Sequence, residues 1–136
     1  MKIRQSCLQA TIGIVLGLGA LPALGGHGTG GPVLSIPSAY AKRLLDEGDR
    51  PIFIDLRHQA QHRQGRIPGA RSVPLLELRQ RYAEIPRAGR VILYCACSPE
   101  EIEGAYQFLR DQGYRNVSVM EGGFSGWVKH GYPVEK

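Results

Sequence analysis

The sequence predicts a single α/β domain with a mainly parallel central sheet flanked by helices. Three observations carry that expectation. Pro51-Ile52-Phe53-Ile54-Asp55-Leu56 and Arg90-Val91-Ile92-Leu93-Tyr94 are compact runs of β-formers without polar alternation, the pattern of strands covered on both faces. The segments around these runs carry apolar residues at helical spacing, and strands alternating with helices build parallel sheets with right-handed crossovers. A chain of 136 residues accommodates one core and leaves little room for a second.

Taken in order, the domain begins near Val33, with a short strand over Val33 to Ile36. Pro37 then opens a helix at its first turn, Tyr40, Leu44 and Leu45 share one face, and Gly48 stops it. The strand ending in Asp55-Leu56 leads into residues 57–72, where Gly65, Pro68 and Gly69 imply a loop with room for one helical turn. A short helix is expected around Leu75 to Ala83, followed by the strand that delivers Cys95 to its carboxyl end. Ser98 as N-cap, Pro99 at N1 and Glu101 at N3 spell a capping box, with Ile102, Ala105, Tyr106 and Leu109 as the buried stripe beyond it. Asn116 to Met120 supplies one more strand. A last helix carries Phe124, Trp127 and Val128 before Gly131, with Trp127 read as a core anchor.

The first 25 residues differ in kind from the rest. A basic start (Lys2, Arg4) precedes an uncharged Ile, Val, Leu, Gly and Ala run from Ile12 to Leu24, and Ala23-Leu24-Gly25 offers small residues for cleavage. That run fits the roughly 7–15 residues of a signal h-region better than the ~20 that span a bilayer. Residues 1–25 are therefore read as an export signal, with an uncleaved anchor over residues 8–25 as the alternative. Export to the periplasm or another extracytoplasmic compartment follows in both cases, and membrane association only in the second. Residues 26–32, rich in glycine, form a flexible linker to the domain at 33–136.

Loss of Lys2 and Arg4 would leave 15 basic residues against 12 acidic, lowering the net charge from +5 to +3. So small an excess, carried by scattered arginines without interleaved aromatics, describes a solvated face rather than a nucleic-acid site. It can still steer small anions toward a cleft. Three cysteines are too few for a disulfide scaffold. Cys7 falls in the segment removed by cleavage, leaving Cys95 and Cys97 one residue apart. His58 and His62 are expected on the surface, and no third ligand is spaced to complete a zinc site with them. No metal or cofactor is expected, and the domain is expected to be monomeric.

In parallel sheets ligands gather beyond the carboxyl ends of the strands, which is where Cys95 falls. The unpaired N–H groups and partial positive charge of the following helix start favour a thiolate there by about 0.3–1 kcal/mol, or ~2 if partly buried. The plainer reading of Cys95 is a small buried hydrophobe, and position alone does not decide between the two.

Residues 33–136 resemble the rhodanese family through four motifs in family order. Phe53-Ile54-Asp55-Leu56-Arg57 is similar to its first signature strand, and Gly65-Arg66-Ile67-Pro68-Gly69-Ala70 to its Gly-His-Ile-Pro-Gly-Ala segment. Val91-Ile92-Leu93-Tyr94-Cys95 resembles the strand leading to the catalytic cysteine. Glu121-Gly122-Gly123-Phe124-Ser125-Gly126-Trp127, with Gly131-Tyr132-Pro133-Val134, resembles the closing segment. The resemblance implies a sulfurtransferase in which the Cys95 thiolate takes a sulfane sulfur from a donor, holds it as a persulfide and passes it to a nucleophile. It also implies a loop of Ala96, Cys97, Ser98, Glu100 and Glu101 curled around the sulfur. Backbone N–H groups from Ala96 to Glu101, Pro99 excepted, would point inward as an anion nest. Asp55 and Arg57 match the Asp-x-Arg element beside that loop, and a structural ion pair fixing loops at the sheet edge is their plainer role.

The match departs from the family in the loop itself. Where many active members carry a basic residue, this chain reads Cys95-Ala96-Cys97-Ser98-Pro99-Glu100-Glu101. Glu101 is accounted for by capping, but Glu100 opposes ionisation nearby and repels thiosulfate. A neutral small sulfur donor or a protein persulfide suits the site better. Arg66 replaces a frequent histidine and is read as solvated. Cys97 either attacks a persulfide on Cys95, leaving a disulfide, or fills space. A phosphatase or arsenate reductase on the related loop would need an arginine where Glu101 stands, which argues strongly against phosphoryl chemistry. Two alternatives to sulfur transfer remain: a non-catalytic binding module, and an exported thiol-redox protein using Cys95 and Cys97.

Overall fold

A computed structural model describes residues 30–136, so the signal or anchor segment lies outside the described residues. Five parallel strands, β1 (Ser35–Ile36), β2 (Ile52–Asp55), β3 (Arg71–Ser72), β4 (Val91–Tyr94) and β5 (Val117–Met120), form one sheet in the order β1-β5-β4-β2-β3. The helices are α1 (Ser38–Asp46), α2 (Gln59–Gln64), α3 (Leu78–Arg81), α4 (Pro99–Asp111) and α5 (Gly123–Lys129), and single 3-10 turns flank α3 on both sides. The expected α/β class and parallel sheet are both present.

Strand period sorts the core into two layers, because successive side chains leave opposite faces. Ile54, Val91, Leu93, Cys95, Val117 and Val119 pack with Ala105, Tyr106 and Leu109 of α4 and Leu78 of α3. Phe53, Ile92, Tyr94 and Met120 pack on the other face with Ala41 and Leu44 of α1 and Trp127 of α5. Trp127 is fully buried, and its indole N–H donates to the Pro133 carbonyl at 2.7 Å. β4 is the central strand, all four of its residues buried, and it pairs with β2 on one side and β5 on the other.

Three elements depart from the sequence reading. Residues 57–72 hold a six-residue helix and the two-residue strand β3, whose partner is β2. A strand that short and polar carries no periodic signal of its own. The first strand shrinks to Ser35–Ile36, since Val33 and Leu34 precede its pairing with Val119 and Met120. Of the three apolar residues expected on the last helix, Trp127 is buried and Phe124 packs against the core, whereas Val128 is exposed.

Candidate active site

Cys95 sits one residue beyond β4, at the carboxyl edge of the sheet. Strand alternation aims its side chain to the α4 face, whereas Tyr94 points to the α5 face. The chain then turns sharply into α4. Ser98 N–H donates to Glu101 Oε2 at 2.8 Å and Glu101 N–H to Ser98 Oγ at 3.2 Å, completing the capping box with Pro99 at the first helical position. An open cleft of about 530 Å³ lies here, lined by Cys95, Ala96, Cys97 and Pro99 on one side and Glu121, Gly122, Gly123 and Ser125 on the other.

The Glu121–Gly123 turn is pressed against the cysteine strand. Phe124 N–H donates to the Cys95 carbonyl at 3.1 Å. Gly123 has φ +55°, and a Cβ on it would lie 2.2 Å from that same oxygen. Only glycine meets both conditions at once, since the conformation is left-handed and the space is already filled. The second glycine of the closing motif, Gly123, is thus a direct requirement of the cysteine's own backbone.

Not every amide of the expected cradle is available. Ser98 and Glu101 spend their N–H groups on each other, which corrects the expectation that all of Ala96 to Glu101 except Pro99 would face the sulfur. Among the described residues the amides of Ala96, Cys97 and Glu100 have no protein acceptor. The same exchange folds the Glu101 carboxylate back onto the Ser98 amide, while Glu100 stays exposed. Cys95 is 7% exposed and Cys97 half-buried, and the two are joined as a disulfide with their Cα atoms 5.4 Å apart.

A second polar cluster occupies the α5 face of the same sheet edge. Asp55 is fully buried at the end of β2, opposite Tyr94 in register. Arg57 grips it through Nε to Oδ1 at 3.0 Å and Nη2 to Oδ2 at 2.7 Å, and its backbone N–H adds a third bond at 3.0 Å. Tyr94 Oη donates to Oδ2 at 2.9 Å, and His62 Nδ1 lies 3.0 Å from the same oxygen. Burial alone would raise the Asp55 pKa, but these donors, led by the Arg57 guanidinium, outweigh it and hold the carboxyl below its usual range. Burial first and the Asp55 charge second push the Tyr94 phenol well above its ordinary value.

Arg57 carries the cluster outward. Its second Nη2 bond goes to the Gly65 carbonyl at 2.7 Å, and its guanidinium lies 3.6 Å from the ring centre of Phe124. The cluster thus meets the cysteine strand directly at Tyr94 and reaches the Cys95 carbonyl through Phe124, with no side chain of the cluster lining the cleft.

Two readings of single residues are corrected. His62 is not a surface residue: its ring reaches Asp55 from α2, whose helical turn brings the seven-residue spacing close. His58 is exposed as expected, but it caps α2 by accepting from Ala60 N–H at 3.2 Å. Arg66 is not free in solvent, because its Nε reaches Glu135 Oε1 at 3.1 Å and its backbone pairs antiparallel with Glu135. The Gly69 N–H also donates to that carboxylate, and it and Arg66 hold its pKa below the ordinary value against the opposing effect of burial.

Among the described residues, no cluster of three or more metal-ligating side chains exists, and no helix is long and apolar enough to cross a membrane.

Comparison with known proteins agrees with this geometry. The model of the rhodanese-like domain matches residues 38–130. A sulfurtransferase of Allochromatium vinosum is 34% identical over 96 residues, covering 71% of this chain and 88% of that protein. A thiosulfate sulfurtransferase of Pseudoalteromonas translucida is 28% identical over 92 residues, 68% of this chain and 86% of the relative. The crystal structure of a rhodanese-related protein from Thermoplasma volcanium superposes with a TM-score of 0.64 at 27% identity, over 75% of this chain and 97% of that one. On the family match and the relative together, the chain belongs to the rhodanese-like family.

Proposed function

We propose that this protein is a sulfurtransferase that carries sulfane sulfur as a persulfide on Cys95. One observation carries the reading: Cys95 stands at the carboxyl end of the central strand, on an open cleft, beside amides with no protein acceptor. Those N–H groups stabilise a terminal sulfur anion without having to reorganise, which is the economical way to hold such a charge. The sulfurtransferase relatives support the same class of chemistry.

A neutral small molecule or a protein-bound persulfide suits the site as donor better than thiosulfate does. Glu100 is exposed at the helix start, and Glu121 lies across the cleft. A dianion entering between two carboxylates is repelled, whereas a neutral donor is not. The protein acts outside the cytoplasm as a monomer, either released after residue 25 or held to the membrane by residues 8–25.

The Cys95–Cys97 disulfide favours a second reading, a thiol-redox protein that cycles this pair without handling sulfur. Weighing the intact, pre-reduced protein after exposure to a persulfide donor separates the two. The sulfurtransferase reading expects Cys97→Ser to gain one sulfur and Cys95→Ser to gain none. If no variant that retains Cys95 takes up sulfur or releases sulfide, the reading fails.

A further inference from the structure

We propose that Cys97 is a resolving thiol that discharges the Cys95 persulfide as sulfide. The proposal rests on the persulfide reading and adds what ends the cycle. Two observations on different parts of the site carry it.

The first is the pairing of the two sulfurs. The Cα atoms of Cys95 and Cys97 are 5.4 Å apart, inside the 4.4–6.8 Å range of ordinary disulfides, so the loop needs no refolding for one sulfur to reach the other. A thiol poised this way is an internal nucleophile whose effective concentration exceeds that of any dissolved acceptor. The second observation is the charge at the mouth. Glu121 lines the cleft and Glu100 is exposed at the adjoining helix start, so an anionic external acceptor is disfavoured, while Cys97 is already inside, on the cleft wall beside Cys95.

The step balances without an outside reagent. The Cys97 thiolate attacks the inner sulfur, Sγ of Cys95. The bond from that sulfur to the outer one breaks, the Cys95–Cys97 disulfide forms, and the outer sulfur leaves as sulfide, taking a proton from water to become hydrosulfide. The persulfide's outer sulfur is reduced to sulfide, and the two cysteine sulfurs are oxidised to the disulfide. A dithiol reductant then restores both thiols by exchange and is itself oxidised to a disulfide. Taken round the cycle, the protein is a persulfide reductase that consumes one dithiol for each sulfide released.

The test uses the full chain, reduced and freed of reductant, kept anaerobic and given one equivalent of glutathione persulfide, with intact mass and released sulfide followed together. The wild type is expected to lose two hydrogens and release one sulfide per chain. Cys97→Ser and Cys97→Ala are expected to keep one added sulfur, with a persulfide lifetime about 100-fold longer. If the wild type keeps its added sulfur as long as Cys97→Ser does, the resolving role is overturned while persulfide carriage stands. If neither gains sulfur nor releases sulfide, both readings fall. Formation of the disulfide without sulfide release also overturns the proposal, because the oxidant is then something other than the bound sulfur.

Discussion

The two polar clusters at the carboxyl edge of the sheet lie on opposite faces and are built in opposite ways. Around Asp55 nearly every hydrogen-bonding valence is used: two Arg57 nitrogens, the Arg57 amide, Tyr94 and His62 converge on one buried carboxylate. Around Cys95 the amides of Ala96, Cys97 and Glu100 are left without an acceptor among the described residues, and the cleft is open. A buried polar group whose partners are all internal supports architecture, and removing one partner is costly because the others remain desolvated. A cluster that keeps its donors unspent is the one prepared for something that arrives from outside.

That contrast is open to attack by substitution. Asp55→Ala should have the largest effect on stability, about 3–5 kcal/mol, because it strands the buried Arg57 charge, and urea unfolding will show it. If the variant loses less than about 1 kcal/mol, the cluster is not the structural tie described here.

Gly123→Ala comes next. Its left-handed backbone costs about 1–2 kcal/mol, and the clash with the Cys95 carbonyl moves the nucleophile itself. Sulfur loading should fall about 100-fold, measured as the rate of mass gain in a Cys97→Ser background, with Phe124→Ala expected to affect stability more than loading.

A smaller and graded effect appears on the acid limb of stability. Because folding lowers the Asp55 pKa, its contribution is fully present above the unfolded value near 3.9 and is lost as pH falls from there through the folded value. Unfolding curves of Asp55→Asn between about pH 5 and pH 2 should be flatter than those of the wild type. Parallel curves would remove Asp55 from the account.

Glu100→Gln tests the other cluster and carries the smallest effect. Removing one exposed charge near the cysteine should raise kcat/KM for thiosulfate about fivefold, roughly 1 kcal/mol, and leave a neutral persulfide donor unaffected. The gain should shrink as salt is added.

The sequence made the central features legible where a local rule applied. The buried strands announced themselves as unbroken β-former runs, and Ser98-Pro99-Glu100-Glu101 spelled the start of α4 in full, down to the reciprocal hydrogen bonds. What escaped were contacts between residues distant in sequence. Arg66 and Glu135 are 69 positions apart, and no periodicity joins them. His62 was read as exposed because the helix that turns it toward Asp55 is short, polar and without a buried face of its own. The cost of capping to the amide cradle was missed for a different reason. The cap and the cradle were expected of the same residues, but a single N–H cannot serve both, and the cap holds those of Ser98 and Glu101.

The place of β4 in the strand order has a consequence for motion. A strand with a partner on each side and helices over both faces opens only when the whole domain does, so its amides should exchange with deuterium near the rate set by global unfolding. The loop one residue later has no such neighbours and should exchange orders of magnitude faster. The reactive sulfur therefore sits on the boundary between the slowest and the fastest exchanging parts of the chain, anchored on one side and free to open on the other.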